Sequence, residues 1–390
     1  MNSCPPRSAI VIGSGISGAA AAYFLARRGI DVRLLEASAP AAAATGAADG
    51  AVSVASKRPG PMMEAALRGI RLYRELAGEG LFADLFKMRS TFIVASSEQE
   101  AQVLHAHADA LASTGVRVER LSRAETARRF PVLSAKAEMA VEVHDEGHAI
   151  GYRIVHRLLT AGGMTVRRDE PVRRLLVSDG CAAGVETDKG ILKADAVILA
   201  AGGGSAHLLG LRNTFTPRKG QLLVTERAPQ LNAAMPGAIM SGRYLLSKGS
   251  QKTAGAGKPA RGIGLVIDPL TTGQFLIGGT REDTDDHRTN DLDAVSRILS
   301  DAVALVPGLA DVRLLRSFAG VRTAVVDGLP LIGRLPGLEN AYVTTGFEGD
   351  GICLGPVAAK AVVELACDEE PSIDLAPFDP ARFAGIEVAA

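Results

Sequence analysis

The chain is poor in the residues that mark several classes of protein. It has no tryptophan, and aromatic residues make up 4% of its 390 residues. Its four cysteines, Cys4, Cys181, Cys353 and Cys367, lie far apart and form no Cys-x-x-Cys pair. That spacing argues against a disulfide framework, a zinc site or a dithiol redox centre. We therefore expect no metal and a reducing, cytoplasmic compartment.

The chain also lacks an excess of charge and a long apolar run. Lys plus Arg (43) equals Asp plus Glu (43), which argues against nucleic acid, a polyanion or an anionic membrane surface as partner. The apolar segment near the N-terminus is short and broken by glycines, so it predicts neither a secretory signal nor a transmembrane helix. With 47% hydrophobic residues, the chain is long enough for a sizeable core and two domains. A small molecule is the expected partner.

The N-terminal stretch SAIVIGSGISGAAAAYFLARRGIDVRLLEA has the order strand, glycine turn, helix, strand. Ala9 to Ile12 is an apolar run typical of a buried parallel strand. An alanine-rich helix is expected from about Ile16 to Arg28, and a second strand from Asp31 to Leu35. This is the local structure that a dinucleotide-binding fingerprint requires.

Each residue type in the fingerprint has a physical role. Gly13 permits the tight turn, Gly15 lets the backbone approach a pyrophosphate, and Gly18 lets helix and strand pack closely. The helix N-terminus at Ile16 and Ser17 offers free N–H groups to the phosphates. Glu36 follows Gly18 by eighteen residues, where a carboxylate accepts hydrogen bonds from an adenosine ribose, with Ala37 beside it. The fingerprint by itself does not separate FAD from NAD.

Two later stretches carry further glycine turns. The run KADAVILAAGGGSAHLL predicts a buried strand that ends at Ala200 to Gly202. The run FAGVRTAVVDGLPLIGRLPGLENAYVTTGFEGDGICLGPVAAKAVVELA predicts a strand from Ala341 to Thr345, then glycines and a closing helix. Both stretches are places where the sheet can face a cofactor.

At these residues the chain resembles the D-amino acid oxidase, glycine oxidase and sarcosine oxidase family of FAD-dependent amine oxidoreductases. The fingerprint, the Ala200–Gly202 turn, the Gly320–Gly333 run and the Gly346–Ile352 run occur in the family's order and approximate spacing. The resemblance implies a mixed α/β and α+β fold, with a Rossmann-like FAD-binding domain and an inserted substrate domain on an antiparallel sheet. The implied FAD-binding segments are 1–85, 146–217 and 323–390, and the implied substrate segments are 86–145 and 218–322.

The resemblance also implies which further residues meet FAD. Thr45 and Gly46 fall where the family places small residues beside the pyrophosphate, although TGAADG departs from the usual Ser-Gly-x-Asn-x-Gly; the alternative is an alanine-rich loop with no ligand role. Val172 matches the position whose backbone meets adenine. The helix that starts near Gly351 is implied to point its N-terminus at the flavin's pyrimidine end. The remaining implied contacts are Ala201, Gly202, Gly320, Gly346, Glu348, Gly349, Asp350, Gly351 and Ile352.

Several positions depart from individual relatives. Gly320 stands where monomeric sarcosine oxidases carry the cysteine that tethers flavin, so we expect FAD to be bound without a covalent link. Cys353 stands where those enzymes carry a lysine. Phe347 and Gly349 replace the His and Arg of glycine oxidases. Glu348-Gly-Asp350 is more like the flavoprotein subunits of heteromeric opine, hydroxyproline and proline dehydrogenases, which makes other subunits possible partners.

The implied reaction is oxidation of the C–N bond of an amino acid or N-substituted amino acid by hydride transfer to flavin. Arg322 stands where family members that oxidise amino acids grip the substrate carboxylate; the alternative is a structural ion pair. Tyr244 is a second candidate, facing either substrate or solvent. Two other functions stay open: a flavin-carrying electron-relay subunit of a complex, and a nicotinamide-dependent dehydrogenase. The amine, the electron acceptor and the oligomeric state are also open.

The remaining patterns predict ordinary structure. His144 and His148 are four apart, but the alternation of valines around them predicts a strand and turn rather than a helical metal site. Asn290 or Asp291 is expected to cap a helix. The polar, glycine-rich segment from Ser247 to Gly262 is expected to be a mobile surface loop, with a lid or a partner-docking loop as the alternative.

Overall fold

The computed structural model describes residues 5–211, 213–249 and 261–383. Residues 250–260, which make up most of the glycine-rich segment predicted as a loop, lie outside the described residues, as does Cys4. No helix among the described ranges combines the length and the apolar character needed to cross a bilayer.

Strands and helices alternate along much of the described chain. The strands are β1 Ser8–Ile12, β2 Asp31–Leu35, β3 Ala51–Val52, β4 Phe86–Ala95, β5 Val118–Leu121, β6 Met139–Ala149, β7 Val166–Arg167, β8 Val172–Ser178, β9 Cys181–Thr187, β10 Gly190–Lys193, β11 Ala196–Leu199, β12 Phe215–Thr225, β13 Ala238–Ser241, β14 Gly262–Pro269, β15 Phe275–Arg281, β16 Leu314–Val325, β17 Leu331–Arg334 and β18 Ala341–Thr345. The helices are α1 Ile16–Ala26, α2 Pro61–Gly78, α3 Glu98–Ser113, α4 Arg123–Arg129, α5 Gly151–Ala161, α6 Ser205–Leu208, α7 Pro229–Ala233, α8 Arg243–Gly249, α9 Leu292–Leu305 and α10 Gly351–Ala366.

The first sheet has six strands in the order β17-β18-β11-β1-β2-β7. Its strands are parallel except β17, which runs antiparallel to β18. The sequence AIVI of β1 is apolar throughout because this central strand is covered on both faces. On one face α1 contacts α5 and α10, and on the other the three-stranded antiparallel sheet β8–β10 packs against Ile10 and Ile12. The predicted dinucleotide-binding arrangement of strands and helix is present.

The second sheet has nine strands, in the order β16-β12-β15-β14-β13-β4-β6-β3 with β5 paired to β6. Neighbouring strands are antiparallel except β4 and β13. The predicted fold class, a Rossmann-like domain with a largely antiparallel second sheet, is confirmed. The predicted domain boundaries at 145/146, 217/218 and 322/323 fall inside β6, β12 and β16, so single strands pass from one predicted segment into the other. The division into domains stays a prediction.

Helix α10 is held in place by α2. A Cβ atom added at Gly69 would lie 2.3 Å from the carbonyl oxygen of Cys353, so the two helices cross too closely for any side chain at position 69. The fully buried Tyr73 donates from its hydroxyl to the carbonyl of Ile352 at 2.8 Å. These contacts fix the N-terminus of α10 beside the end of β18.

Local sequence signals account for other boundaries. Asp291 caps α9 by accepting from the N–H groups of Asp293 (2.8 Å) and Ala294 (3.4 Å), as one of the two predicted caps. His144 and His148 both lie on β6, so the predicted strand is present, but it continues through the segment predicted as a turn. Near His144, Arg129 pairs with the carboxylates of Glu119 (3.3 Å) and Glu142 (2.6 Å), which makes this acidic cluster an ion-pair network.

Candidate active site

A cavity of about 1500 Å³ lies at the carboxyl ends of β1, β11 and β18 and extends along one face of the nine-stranded sheet. Pockets for a single small ligand enclose roughly 300–1,000 Å³, so this one has room for a cofactor and a substrate together. Every residue that the sequence predicts for the site lines the cavity, except Gly18 and Gly46.

The turn between β1 and α1 is built by close backbone contacts. Gly13 has φ +97°, and a Cβ atom there would lie 2.5 Å from the carbonyl oxygen of Ala200. A Cβ atom at Gly18 would lie 1.8 Å from the carbonyl oxygen of Gly13. Side chains at these positions would push α1 away from β1 and β11. The result is a helix N-terminus whose backbone, from Gly15 to Ser17, faces the cavity.

Glu36 is fixed at the end of β2. Its Oε2 atom accepts from the backbone N–H and the hydroxyl of Ser14, both at 2.8 Å, and its Oε1 atom accepts from the N–H of Ser38 at 3.0 Å. The carboxylate is thus held next to the glycine turn, with Ala37 beside it in the cavity wall. This is the placement that binding of a ribose needs, and the role itself stays a prediction.

Thr45 lies over the N-terminus of α1. Its hydroxyl oxygen accepts from the backbone N–H of Ile16 at 3.0 Å, which leaves the hydroxyl proton available as a donor. A Cβ atom at Gly46 would lie 2.3 Å from the carbonyl oxygen of Ala41, so this loop closes tightly on itself. Thr45 therefore occupies the predicted phosphate-binding region.

The opposite wall follows β8 and β11. Val172, the first residue of β8, lines the cavity. Ala201 and Gly202, which follow β11, line it as well. The hydroxyl of Thr345 donates to the carbonyl of Gly202 at 3.0 Å, which ties this turn to the end of β18. Val172 thus lines the cavity at the position predicted to meet adenine, and Ala201 and Gly202 line it where the sheet was predicted to face the cofactor.

The segment from Gly346 to Ile352 closes the other end of the cavity. A Cβ atom at Gly346 would lie 2.5 Å from Val325 Cγ2, and Gly351 and Ile352 form the first turn of α10. Glu348 has a positive φ of 48° and forms ion pairs with Arg218 (3.4 Å) and Arg281 (2.5 Å). Its carboxylate is therefore engaged with the second sheet, while Gly349 and Asp350 line the cavity.

Gly320 is packed against the loop that carries Thr45. A Cβ atom at Gly320 would lie 2.3 Å from the Cβ atom of Ala47. The position that carries a flavin-tethering cysteine in some relatives thus has no room for a thiol here.

Arg322 crosses the middle of the cavity from β16. A Cβ atom at Gly220 of β12 would lie 2.4 Å from its Nη2 atom and 2.8 Å from its Cζ atom, so the guanidinium lies directly over Gly220. A Cβ atom at Gly349 would lie 3.8 Å from its Cδ atom. Within the described part of the chain, Arg322 forms no hydrogen bond or ion pair through its side chain. The guanidinium therefore presents its donors to the cavity.

Comparison with known proteins agrees with this geometry. The profile of the family described as FAD dependent oxidoreductase matches residues 8–365. The chain belongs to this family. It is 26% identical to the glycine oxidase of Pseudomonas aeruginosa over 387 residues, covering 95% of this chain and 98% of the relative. FAD is therefore the cofactor, and the nicotinamide-dependent alternative is wrong.

Solved structures show the same fold. The crystal structure of glycine oxidase from Geobacillus kaustophilus has a TM-score of 0.83 at 24% identity, with 98% of this chain and 100% of that chain covered. The crystal structure of L-proline dehydrogenase from P. horikoshii has a TM-score of 0.80 at 20% identity, with 98% of each chain covered.

The residues of this FAD-dependent oxidoreductase fit its cofactor. The N-terminus of α1 offers N–H groups suited to a pyrophosphate, and the anchored carboxylate of Glu36 suits a ribose. The N-terminus of α10 lines the cavity, where the positive end of its dipole would favour negative charge on a reduced flavin ring.

Lys57 is a site residue of the oxidoreductase that sequence reasoning missed. Its side chain is buried in the cavity wall and forms an ion pair with Asp350, the residue before α10. Burial lowers the pKa of Lys57, but the charge of Asp350 and the hydrogen bond to it outweigh burial, so the pKa is raised. Cys353 itself is buried, and burial raises the pKa of its thiol to about 12. A lone lysine in ASKRPG gives no signal in sequence, because only the tertiary fold buries it.

Tyr244 of the oxidoreductase lies on α8 and lines the cavity. A Cβ atom at Gly264 of β14 would lie 2.1 Å from its Cδ2 atom, so the ring packs closely on that strand. Of its two predicted orientations, the structure has the one towards the cavity. Its part in catalysis stays a prediction.

Proposed function

We propose that this flavoenzyme oxidises the C–N bond of an amino acid or an N-substituted amino acid. The observation that carries the proposal is the position of Arg322, whose guanidinium lies over Gly220 in the cavity and is free of ion pairs among the described residues. A guanidinium can hold a carboxylate through two parallel N–H bonds. The names of the relatives, glycine oxidase and L-proline dehydrogenase, support a substrate of this class.

The protein's own contribution is binding and orientation. Bound FAD supplies the hydride acceptor for the carbon that carries nitrogen. Arg322 holds the carboxylate, which fixes the position of the adjacent carbon and the face that it presents. Apolar side chains of the second sheet, Leu222, Met240, Val266 and Leu276, line the same cavity and exclude water from the substrate.

The decisive comparison is Arg322→Ala assayed on an amino acid and on the corresponding amide, at full FAD occupancy. Loss of a desolvated carboxylate partner costs on the order of 2–5 kcal/mol, which corresponds to roughly 30-fold to several-thousand-fold in kcat/KM. We expect this loss on the acid and a much smaller one on the amide. Arg322→Lys should also be damaging, because an ammonium cannot reproduce the planar fork.

Arg316→Ala is the matched control. Arg316 lies on the same strand, is exposed, and stacks on Phe318 outside the cavity. Its removal should leave both activities near those of the parent enzyme. Equal losses on the acid and the amide after Arg322→Ala would show that Arg322 does not bind a carboxylate.

Whether the chain oxidises its substrate alone is tested by anaerobic reduction. If the isolated chain is the catalyst, a panel of glycine, sarcosine, proline, hydroxyproline, D-amino acids and opines should include a compound that bleaches the oxidised flavin spectrum. A chain that is reduced only in the presence of another subunit would instead be the electron-relay subunit of a heteromeric complex. Reoxidation of the reduced protein by oxygen or by a dye then identifies the acceptor.

A further inference from the structure

Most of the charged residues that line the cavity beside the second sheet and α10 pair with one another. Arg89 pairs with Asp268, and Lys57 pairs with Asp350. Two further arginines are also neutralised, in the pairs Arg218–Asp283 (2.7 Å) and Arg281–Glu348 (2.5 Å). Glu36, beside the glycine turn, lines the cavity without an ion pair and is held by Ser14 and Ser38 instead. The other two cavity-lining Asp, Glu, Lys or Arg residues of the described chain without an ion pair are Arg322 and Asp49. One is a guanidinium and the other a carboxylate.

Asp49 is rigidly placed. The Nε2–H group of His148 donates to the Asp49 carbonyl at 2.8 Å, and a Cβ atom at the adjacent Gly50 would lie 2.6 Å from that nitrogen. Ala51 begins the short strand β3, and its N–H donates to Asp49 Oδ1 at 3.2 Å. The half-buried carboxylate therefore lines the cavity on a backbone that is tied to β6.

The electrostatic surroundings of Asp49 suit an ammonium ligand. Burial raises the pKa of Asp49, the charge of Asp268 raises it further, and the Ala51 N–H, Arg322 and His148 oppose the rise. His148 is largely neutral, because burial lowers its pKa to about 4. The charge of Arg322 thus acts on Asp49 at a distance. The two residues form no salt bridge, so the guanidinium nitrogens and the carboxylate oxygens are more than 4.0 Å apart. A guanidinium and a carboxylate separated in this way complement the two ends of a zwitterion.

We propose that Asp49 binds the ammonium group of the substrate and accepts one of its protons before oxidation. The proton moves from nitrogen to a carboxylate oxygen of Asp49, which becomes a neutral acid and leaves a neutral amine. The Cα hydrogen could then leave with its electron pair as hydride, which bound FAD would accept, and the nitrogen lone pair would form the C=N bond. In a desolvated pocket the first transfer replaces an ion pair by two neutral groups, which burial favours. This inference rests on the proposed function.

Binding is tested first with two non-oxidisable probes of the same skeleton, 2-aminoisobutyrate and isobutyrate. The first has the ammonium and no Cα hydrogen; the second lacks the ammonium. Their affinities for the FAD-loaded protein are measured by perturbation of the flavin absorbance. Asp49→Asn should weaken the binding of 2-aminoisobutyrate roughly tenfold or more, and the affinity for isobutyrate should stay unchanged or increase. Asp188→Asn, which removes an exposed carboxylate paired with Arg173, should change neither.

The two hypotheses fail differently in this assay. If Arg322→Ala weakens both probes but Asp49→Asn weakens neither, the role of Asp49 is refuted and the proposed function stands. If the parent protein binds isobutyrate and not 2-aminoisobutyrate, the pocket rejects an ammonium group and the inference is also overturned. If it binds neither probe, or if Arg322→Ala affects neither, the proposed function fails as well.

Proton transfer is tested by anaerobic stopped-flow reduction with the fastest amino acid of the substrate panel. In Asp49→Asn the reduction rate should rise about tenfold per pH unit with the fraction of free amine in solution, and approach the parent rate at high pH. The parent should depend much less on pH. An Asp49→Asn variant with the rate and pH profile of the parent would overturn the inference.

Discussion

Gly320→Ala is predicted to weaken FAD binding through a single steric contact. The new methyl group would lie 2.3 Å from the Cβ atom of Ala47, where ordinary contacts are 3.4–4 Å. Overpacking of this kind costs about 1–3 kcal/mol. The strand β16 is paired along its length with β12, so the Ala47 loop is the element that gives way. Because that loop holds Thr45 over the N-terminus of α1, the displacement is expected to act on the cofactor.

If the full cost appears in cofactor affinity, the FAD dissociation constant rises about 5-fold to 150-fold. Titration of the apoprotein with FAD, followed by quenching of flavin fluorescence, measures it. The control is the double variant Gly320→Ala with Ala47→Gly, in which the nearest remaining contacts, Ala47 Cα at 3.7 Å and its carbonyl oxygen at 3.8 Å, are ordinary. It should recover most of the affinity. A double variant no better than Gly320→Ala would refute the steric argument. Acid precipitation of the parent protein should release all of its FAD, since Gly320 offers no thiol.

Three further predictions follow from other contacts. Glu36→Ala should lower FAD affinity while the fold persists, and unchanged titrations of the apoprotein would contradict the ribose assignment. Gly220→Ala should displace the guanidinium of Arg322, whose Nη2 atom lies 2.4 Å from the new Cβ position, and so raise KM for the amino acid while thermal stability and FAD affinity stay near parent values. In the folded chain the pKa of His148 is about 4, compared with the ordinary value of 6.5. Between these two pH values the unfolded chain binds more protons than the folded chain. The free energy of unfolding should therefore fall as pH drops from 6.5 towards 4, by up to roughly 3 kcal/mol. His148→Gln should show a smaller fall in melting temperature over this range, and an equal fall would exclude His148 as its source.

Part of the site is local in sequence and was predictable. The turn after β1, the position of Glu36 and the start of α10 each depend on residues within about twenty positions of one another. Their patterns follow from periodicity, glycine sterics and the free N–H groups of helix ends. The observed bounds of β2 and β18, and the start of α10, match the predicted ones.

For the second sheet, only its antiparallel type was predictable, and not the order or register of its strands. The family resemblance implied an antiparallel sheet, but the parallel pairing of β4 with β13 joins strands far apart in the chain. Register between such strands depends on which apolar faces bury together, which single-chain periodicity does not report. Helix α2 likewise meets α10 at Gly69 and Cys353, a contact without a local signal.

The sequence by itself determined that the chain holds a dinucleotide, since the strand, glycines, helix and acidic residue of that site lie within the first 36 residues. Only the tertiary structure decided which charges of the cavity are neutralised. Lys57 and Asp350 are 293 positions apart, and Arg89 and Asp268 are 179 apart, yet each pair forms an ion pair. A buried charge without a partner is destabilising, so burial favours pairing, but the tertiary fold determines which charged residues are close enough to pair. That choice leaves Arg322 and Asp49 in the cavity wall without an ion pair to any described residue.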